Sequence, residues 1–270
     1  MKGYYSGPVK AVVLDWAGTT VDFGCCAPAA VFLEVFRRRG IEVSLEEARR
    51  PMGMHKRDHI RVLAEMPEIA AQWETQYGRR PTETDIDGMF AEFLPLQIDA
   101  ISRHADIIPG AVETLAKLRE RGIRIGSTTG YNAEMMSVLT PAAKRAGYEP
   151  DVMVCVSDVP AGRPAPWMAL EAAKRLGVYP MRAIVKVGDT VADVHEGLNA
   201  GMWSVGVVEH GNEVGLSRSE FDALPAADRE SLCGRARARL AAAGADFVID
   251  RIGELPGVID EIEKSPGHTP

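Results

Sequence analysis

Apolar runs and helical stripes alternate along this chain except in one long block. Residues 11–14 (AVVL) form the first run, and a short run of this kind predicts a strand buried on both faces. Further runs predict strands at 123–127 (IRIGS), 152–156 (VMVCV), 183–187 (AIVKV), 204–208 and 246–249. Between them, apolar spacing near 3.6 predicts helices over 111–121, 132–146 and 165–176. Others are predicted from Asp189 to Gly201, over the Arg/Ala-rich stretch near 226–243, and from 251 onward. Strands that alternate with helices imply a parallel sheet covered on both faces. Residues 22–105 read differently. A helical stripe at 27–39 ends at Gly40, and Ser44 followed by Glu47 has the spacing of a capping box opening a helix at 44–50. Pro51 interrupts, further helices are predicted over 56–66 and 85–104, and no strand pattern is evident. The predicted fold class is α/β. A doubly wound, Rossmann-like core comprises 1–21 and 106–270, and an all-helical cap domain is inserted at 22–105.

Composition narrows the setting. A chain of 270 residues, 46% hydrophobic and 26% charged, suits a soluble globular protein of one large domain or two smaller ones. A net charge of −7 argues against nucleic acid or an anionic membrane as partner. No apolar run approaches the ~20 residues of a membrane span, and the opening MKGYYSGPVK lacks a signal peptide's apolar core. Cys25, Cys26, Cys155 and Cys233 show neither metal-binding spacing nor an evident disulfide pattern, so a reducing cytoplasm is the expected location.

The strand ends carry the chemistry. Open α/β sheets bind ligands beyond the carboxyl ends of their strands, and four polar segments fall there. Asp15 follows the first strand and can be a nucleophile or a metal ligand, while Gly18 permits a tight turn. Ser127-Thr128-Thr129-Gly130 follows the second, Arg163 lies in the loop after the third, and Asp189 and Asp193 follow the fourth. Each has an ordinary reading: an Asp-Gly-type turn, a hydroxyl cap, a solvated arginine, a helix N-terminus favouring carboxylates. Together they supply the nucleophile, hydroxyl donor, cation and acidic metal ligands that phosphoryl transfer requires.

In order and spacing these segments resemble the haloacid dehalogenase superfamily of phosphotransferases, over essentially the whole chain. The resemblance implies that Asp15 attacks phosphorus and forms an aspartyl-phosphate. It implies that Thr129 and Gly130 bind the phosphoryl oxygens and that Arg163 balances their charge. Mg²⁺ would be held by Asp15, the backbone carbonyl of Ala17 and Asp189, with Asp193 in support; no organic cofactor is expected. One departure matters. Phosphatases of the superfamily carry a second Asp two residues after the nucleophile as general acid and base, and here that position is Ala17. A phosphatase without that acid should be poor.

The helical block offers another chemistry. In PMGMHKRDH at 51–59, Lys56 lies close to Met52, Met54, His55 and His59. A lysine on a helix is ordinarily solvated, but a desolvated amine can form a Schiff base. DWAGTTVD at 15–22, Cys25, MGMHKRDH at 52–59, STTGY at 127–131, GRPAPWM at 162–168 and GDTVADVHEG at 188–197 closely resemble the phosphonoacetaldehyde hydrolase (phosphonatase) family. That resemblance implies hydrolysis of the substrate's C–P bond through a Lys56 imine, in phosphonate catabolism. It implies proton transfer near the amine by His59 and Tyr131, and a supporting shell of Cys25, Met52 and Gly53. It also implies a homodimer, for which the apolar stripe Pro28, Val31, Phe32, Val35 and Phe36 could serve, although the same stripe could pack inside the cap. Segments 22–26 and 105–110 are the expected hinges. Two alternatives stay open here: a phosphate-ester phosphatase or phosphomutase of the same superfamily, and a non-catalytic phosphate-binding protein. The 209–217 loop, EHGNEVGLS, has no assigned role.

Overall fold

A computed structural model describes Tyr5 and residues 7–264; most of the opening segment, and the last six residues of the expected core, lie outside the described residues. Six strands form one parallel sheet: β1 (Ala11–Leu14), β2 (Arg124–Thr129), β3 (Val152–Cys155), β4 (Ile184–Gly188), β5 (Trp203–Val207) and β6 (Phe247–Ile249). Their order is β3-β2-β1-β4-β5-β6. The order reverses at β1, which is therefore the switch point where such sheets open a crevice. Register pairs Leu14 with both Ser127 and Val187, bringing the ends of β1, β2 and β4 level.

The unbroken apolar run of β1 follows from its two covered faces. Val12 and Leu14 join the core under α6 (Ala111–Glu120), α7 (Ala133–Arg145) and α12 (Leu255–Lys264). Ala11 and Val13 join the opposite core under α8 (Trp167–Leu176). On that second face, α9 (Val191–Ala200) covers β4 and β5, and α11 (Ala226–Ala242) packs beside it. The short α10 (Arg218–Ala223) follows the 209–217 loop and was not anticipated; Ser217 and Glu220 open it with a capping box.

Between β1 and α6 the described chain is helical. It comprises α1 (Cys26–Arg37), α2 (Leu45–Arg49), α3 (Lys56–Glu65), α4 (Pro67–Tyr77) and α5 (Glu83–Arg103). Ser44 and Glu47 form the expected capping box at α2. Helix α4 was missed because Pro67 reads as a terminator, whereas it occupies the first helical turn, where proline's missing N–H costs nothing. The apolar stripe of α1 is internal: all five of its residues are buried, and Phe32 packs on Phe93 of α5 with ring centroids 4.6 Å apart. It is therefore not available as an exposed face. The block enters and leaves by adjacent segments, since Val21 bridges Ile107 antiparallel and the Asp22 N–H donates to the Asp106 carbonyl at 3.1 Å. Among the described residues no helix is long and apolar enough to cross a membrane.

Candidate active site

The nucleophile candidate is held by the sheet itself. Asp15 leaves the end of β1 with its N–H bonded to the Val187 carbonyl at 2.9 Å, and the residue is 6% exposed. The chain then turns at Gly18, where φ is +84° and a Cβ would fall 2.1 Å from Asp189 Oδ2. Only glycine permits both that conformation and that approach. Thr19 Oγ1 donates to Asp189 Oδ1 at 3.0 Å. His210, which the sequence reading missed, secures the turn from outside. Its Nδ1 lies 2.7 Å from the Gly18 carbonyl, and its Nε2 accepts from the Ile252 N–H at 3.2 Å, so the ring is neutral with the proton on Nδ1. Burial pushes its pKa down to about 4, which keeps that tautomer at neutral pH.

Asp15, Asp189 and Asp193 are buried together and offer carboxylate oxygens within 4.8 Å of one another. Burial pushes Asp15 up to about 6 against the pull of Arg163. It pushes Asp189 well above the usual carboxylate range, helped by the charges of Asp15 and Asp193. For Asp193 burial acts in the same direction, but the cations Arg163 and Lys186 outweigh it and the pKa is lowered. Mutually repelling buried carboxylates with hard oxygen donors suit a divalent cation such as Mg²⁺. Asp193 is the least free of the three. Its Oδ1 takes Lys186 Nζ at 2.7 Å and Arg163 Nη1 at 2.9 Å, and its Oδ2 takes Thr190 Oγ1 at 2.6 Å.

Arg163 is buried in a carboxylate cage. Nη1 is 2.7 Å from Asp15 Oδ1, Nε donates to Glu196 Oε2 at 2.8 Å, and Nη2 reaches the Thr128 carbonyl at 3.0 Å and Oγ1 at 2.8 Å. Lys186 also lies 3.4 Å from Glu196 Oε2. Lys186 and Glu196 were missed by the sequence reading, yet each left a signal. A lysine inside the apolar run AIVKV must be paired once both strand faces are buried, and Glu196 lies three residues after Asp193 on the same helix face.

The amine candidate comes from the helical block and meets this cluster. Lys56 is the first residue of α3 and only 3% exposed. Its Nζ lies 3.8 Å from Met52 Sδ, 5.3 Å from the centre of the Tyr131 ring and 5.7 Å from that of Phe32. Burial lowers its pKa, although Cys25 and Asp15 pull the other way. Lys56, Met52, Gly53 and Cys25 line one cavity with Asp15, Ala17, Thr129, Gly130, Tyr131 and Arg163. Two glycines allow the layers to meet. A Cβ on Gly130 would fall 2.6 Å from the Met54 carbonyl, and one on Gly53, where φ is +89°, would fall 2.4 Å from Thr190 Oγ1.

The remaining expected residues surround that cavity. Cys25 adopts a left-handed φ of 50°, and burial raises its thiol pKa. Thr129 Oγ1 accepts from the Tyr131 N–H at 3.1 Å. The Tyr131 hydroxyl accepts from Nε2 of Gln97, a buried α5 residue that sequence reasoning missed, at 3.3 Å. His59 lies off the cavity lining: it stacks on Phe32 at 3.7 Å, and its Nε2 is 2.8 Å from the Ala48 carbonyl. Burial and the Lys56 charge hold its pKa well below the usual value, so the ring is neutral.

A doubly wound sheet with an aspartate at its switch point, an acidic pair beyond the fourth strand and a helical insert defines a class. The chain belongs to the haloacid dehalogenase-like hydrolases, whose family model matches residues 9–201. Within them it belongs with the phosphonoacetaldehyde hydrolases. A phosphonoacetaldehyde hydrolase of Syntrophobacter fumaroxidans is 48% identical, covering 98% of this chain and 97% of its own. One from Bacillus cereus is 50% identical over 95% and 97%. The crystal structure of a phosphonoacetaldehyde hydrolase like protein from Oleispira antarctica superposes with a TM-score of 0.95 at 42% identity, covering 98% of this chain and 96% of that one.

Proposed function

We propose that this chain hydrolyses the carbon–phosphorus bond of phosphonoacetaldehyde to acetaldehyde and phosphate, in phosphonate catabolism. One observation carries the reading: a buried lysine from the helical block and a buried aspartate from the sheet line a single cavity, and the loop between them carries Ala17 in place of a second carboxylate. The Lys56 amine, more readily neutral than a solvated lysine because burial lowers its pKa, condenses with the aldehyde; water leaves and a protonated imine forms. That cation is an electron sink one carbon away from phosphorus. Asp15 attacks phosphorus, and the C–P electron pair moves onto carbon to give an enamine and an aspartyl-phosphate. No alkoxide leaves, so no acid is needed at position 17. The enamine takes a proton on carbon, and one water then frees acetaldehyde from Lys56 while another frees phosphate from Asp15.

Thr129, Gly130 and Arg163 bind the phosphonyl oxygens, and Arg163 stays cationic within its carboxylate cage. Tyr131 assists proton transfer around the amine, while Met52, Gly53 and Cys25 keep its surroundings dry and shaped; His59, off the cavity lining, would act on the amine only from behind the Phe32 ring. Asp15, the Ala17 carbonyl and Asp189, with Asp193 in support, would hold Mg²⁺, which supplies Lewis-acid charge for the phosphonyl group. The catalytic core is 1–21 with 106–270 and the cap is 22–105, and the protein acts as a cytoplasmic homodimer. The stripe on α1 lies within the cap, so the dimer must use another face; light scattering on eluting protein reads the mass directly.

The deciding experiment follows phosphate and acetaldehyde released from phosphonoacetaldehyde with Mg²⁺, beside a generic phosphate ester. Equal release of both products with the ester almost untouched is expected. Lys56→Arg should fold and release neither product, because a guanidinium forms no imine. Ester hydrolysis without acetaldehyde, or full C–P cleavage by Lys56→Arg, would overturn the reading.

A further inference from the structure

We propose that Arg49 is a positioning residue for Lys56 and that the 209–217 loop is built to receive it; what Lys56 does rests on the function proposed above. Arg49 ends α2, immediately before the segment 50–55 that carries Met52 and Gly53 and leads into Lys56. Its guanidinium turns away from its own helix toward the sheet side. Nη1 donates to the carbonyls of Gly24 at 2.8 Å and Cys25 at 3.4 Å, where the chain enters α1, and to Asn212 Oδ1 at 3.1 Å. Nη2 donates to the Gly215 carbonyl at 2.8 Å. Asn212 answers with its Nδ2, which donates to the Arg49 carbonyl at 3.2 Å. Hinge, helical block and core loop therefore converge on one side chain.

The loop is shaped for this contact. Gly215 has φ of +69°, and a Cβ there would sit 2.7 Å from Arg49 Nε. The opposite edge of the loop touches the catalytic cluster. The Asn212 N–H donates to Asp189 Oδ2 at 2.8 Å, and a Cβ on Gly211 would sit 2.7 Å from Asp189 Cβ. The oxygen acceptors of Arg49 are neutral carbonyls and an amide, and the carboxylates of Asp22, Glu213 and Glu220 act on it only without direct contact. The contact thus depends on the direction of a planar fork rather than on charge pairing, and lysine cannot reproduce it. Acting through the six residues that follow it, Arg49 sets where the Lys56 amine stands over Asp15. Misplacement of a reacting group by about 1 Å is enough to cost rate heavily.

Hydrogen exchange read by mass spectrometry, on metal-free protein without substrate, tests the placement directly. Arg49→Lys and Asn212→Ala are expected to speed exchange in 22–26 and 50–59 by at least about tenfold while leaving β1 and β4 unchanged. Trapping of the Lys56 imine with borohydride should require at least about tenfold more phosphonoacetaldehyde in both variants. Dilute guanidinium should restore part of the trapping in Arg49→Ala. Asn212→Ala removes only one short side chain, so it keeps the test open if an Arg49 variant fails to fold. Unchanged exchange in 50–59, wild-type trapping in both variants, or faster exchange throughout the sheet with no rescue would each overturn the assignment. A wild-type protein that traps no imine would instead overturn the proposed reaction, and exchange alone would then decide the role of Arg49.

Discussion

Asp15 and Asp189 hold their protons more tightly than ordinary carboxylates, because both are buried close to other acids. A metal ligand must be ionised, so a Mg²⁺ held here as proposed would compete with protons for these groups. The sign is fixed by the raised values. Above pH 6 Asp15 is mostly ionised and Mg²⁺ meets little competition from its proton; as pH falls through about 6, each bound ion must displace a proton. By calorimetry the Kd for Mg²⁺ at pH 5 is expected to be at least about tenfold weaker than at pH 8. An affinity that stays flat across that range would remove these carboxylates from the binding site. Asp193, lowered by Arg163 and Lys186, stays charged throughout and adds nothing to this slope.

Element by element, sequence pattern served best where burial was one-sided or complete. The six strands were legible because runs such as AVVL are apolar on both faces, and α2 because its capping box is local. Helix α4 was hidden by Pro67, since proline opens helices as well as ending them. The stripe on α1 was legible as apolar, yet an apolar face does not name what covers it; α5, far along the chain, does. At the site, Asp15, Lys56, Arg163 and Asp189 were legible from motif and spacing. Gln97 and His210 were not, because their importance lies in partners distant along the chain; Glu196 left only its spacing from Asp193. The glycine contacts between layers allow a direct test. Gly130→Ala would drive a methyl toward the carbonyls of Met54 and Gly53, shifting the segment that leads to Lys56. The variant is expected to fold but to lose kcat/KM for phosphonoacetaldehyde by on the order of a hundredfold. Wild-type kinetics would show that the layers have slack there.

For the whole molecule, the reacting groups are nearly sealed: Asp15 is 6% exposed and Lys56 3%. On the proposed reaction, substrate would enter by separation of the helical block from the sheet, with 22–26 and 105–110 as the proposed hinges. Closure of that kind would expel water from the reaction. Adding Mg²⁺ and phosphonoacetate, which carries a carboxylate where the substrate has its aldehyde, is expected to reduce the radius of gyration measured by solution scattering. Superimposable profiles with and without these ligands would count against any large opening.

The bridge between Val21 and Ile107 has one more consequence. All the helices of the block enter and leave through two neighbouring segments, the first of them only a few residues past Asp15. In the proposed reaction, attack on phosphorus would come from one part of the polypeptide, and activation of the departing carbon from another that is spliced in at a single doorway. The second part is a cassette. A change in what leaves phosphorus can be made by rewriting that cassette alone, with the sheet, its acids and their arginine kept as a fixed chassis.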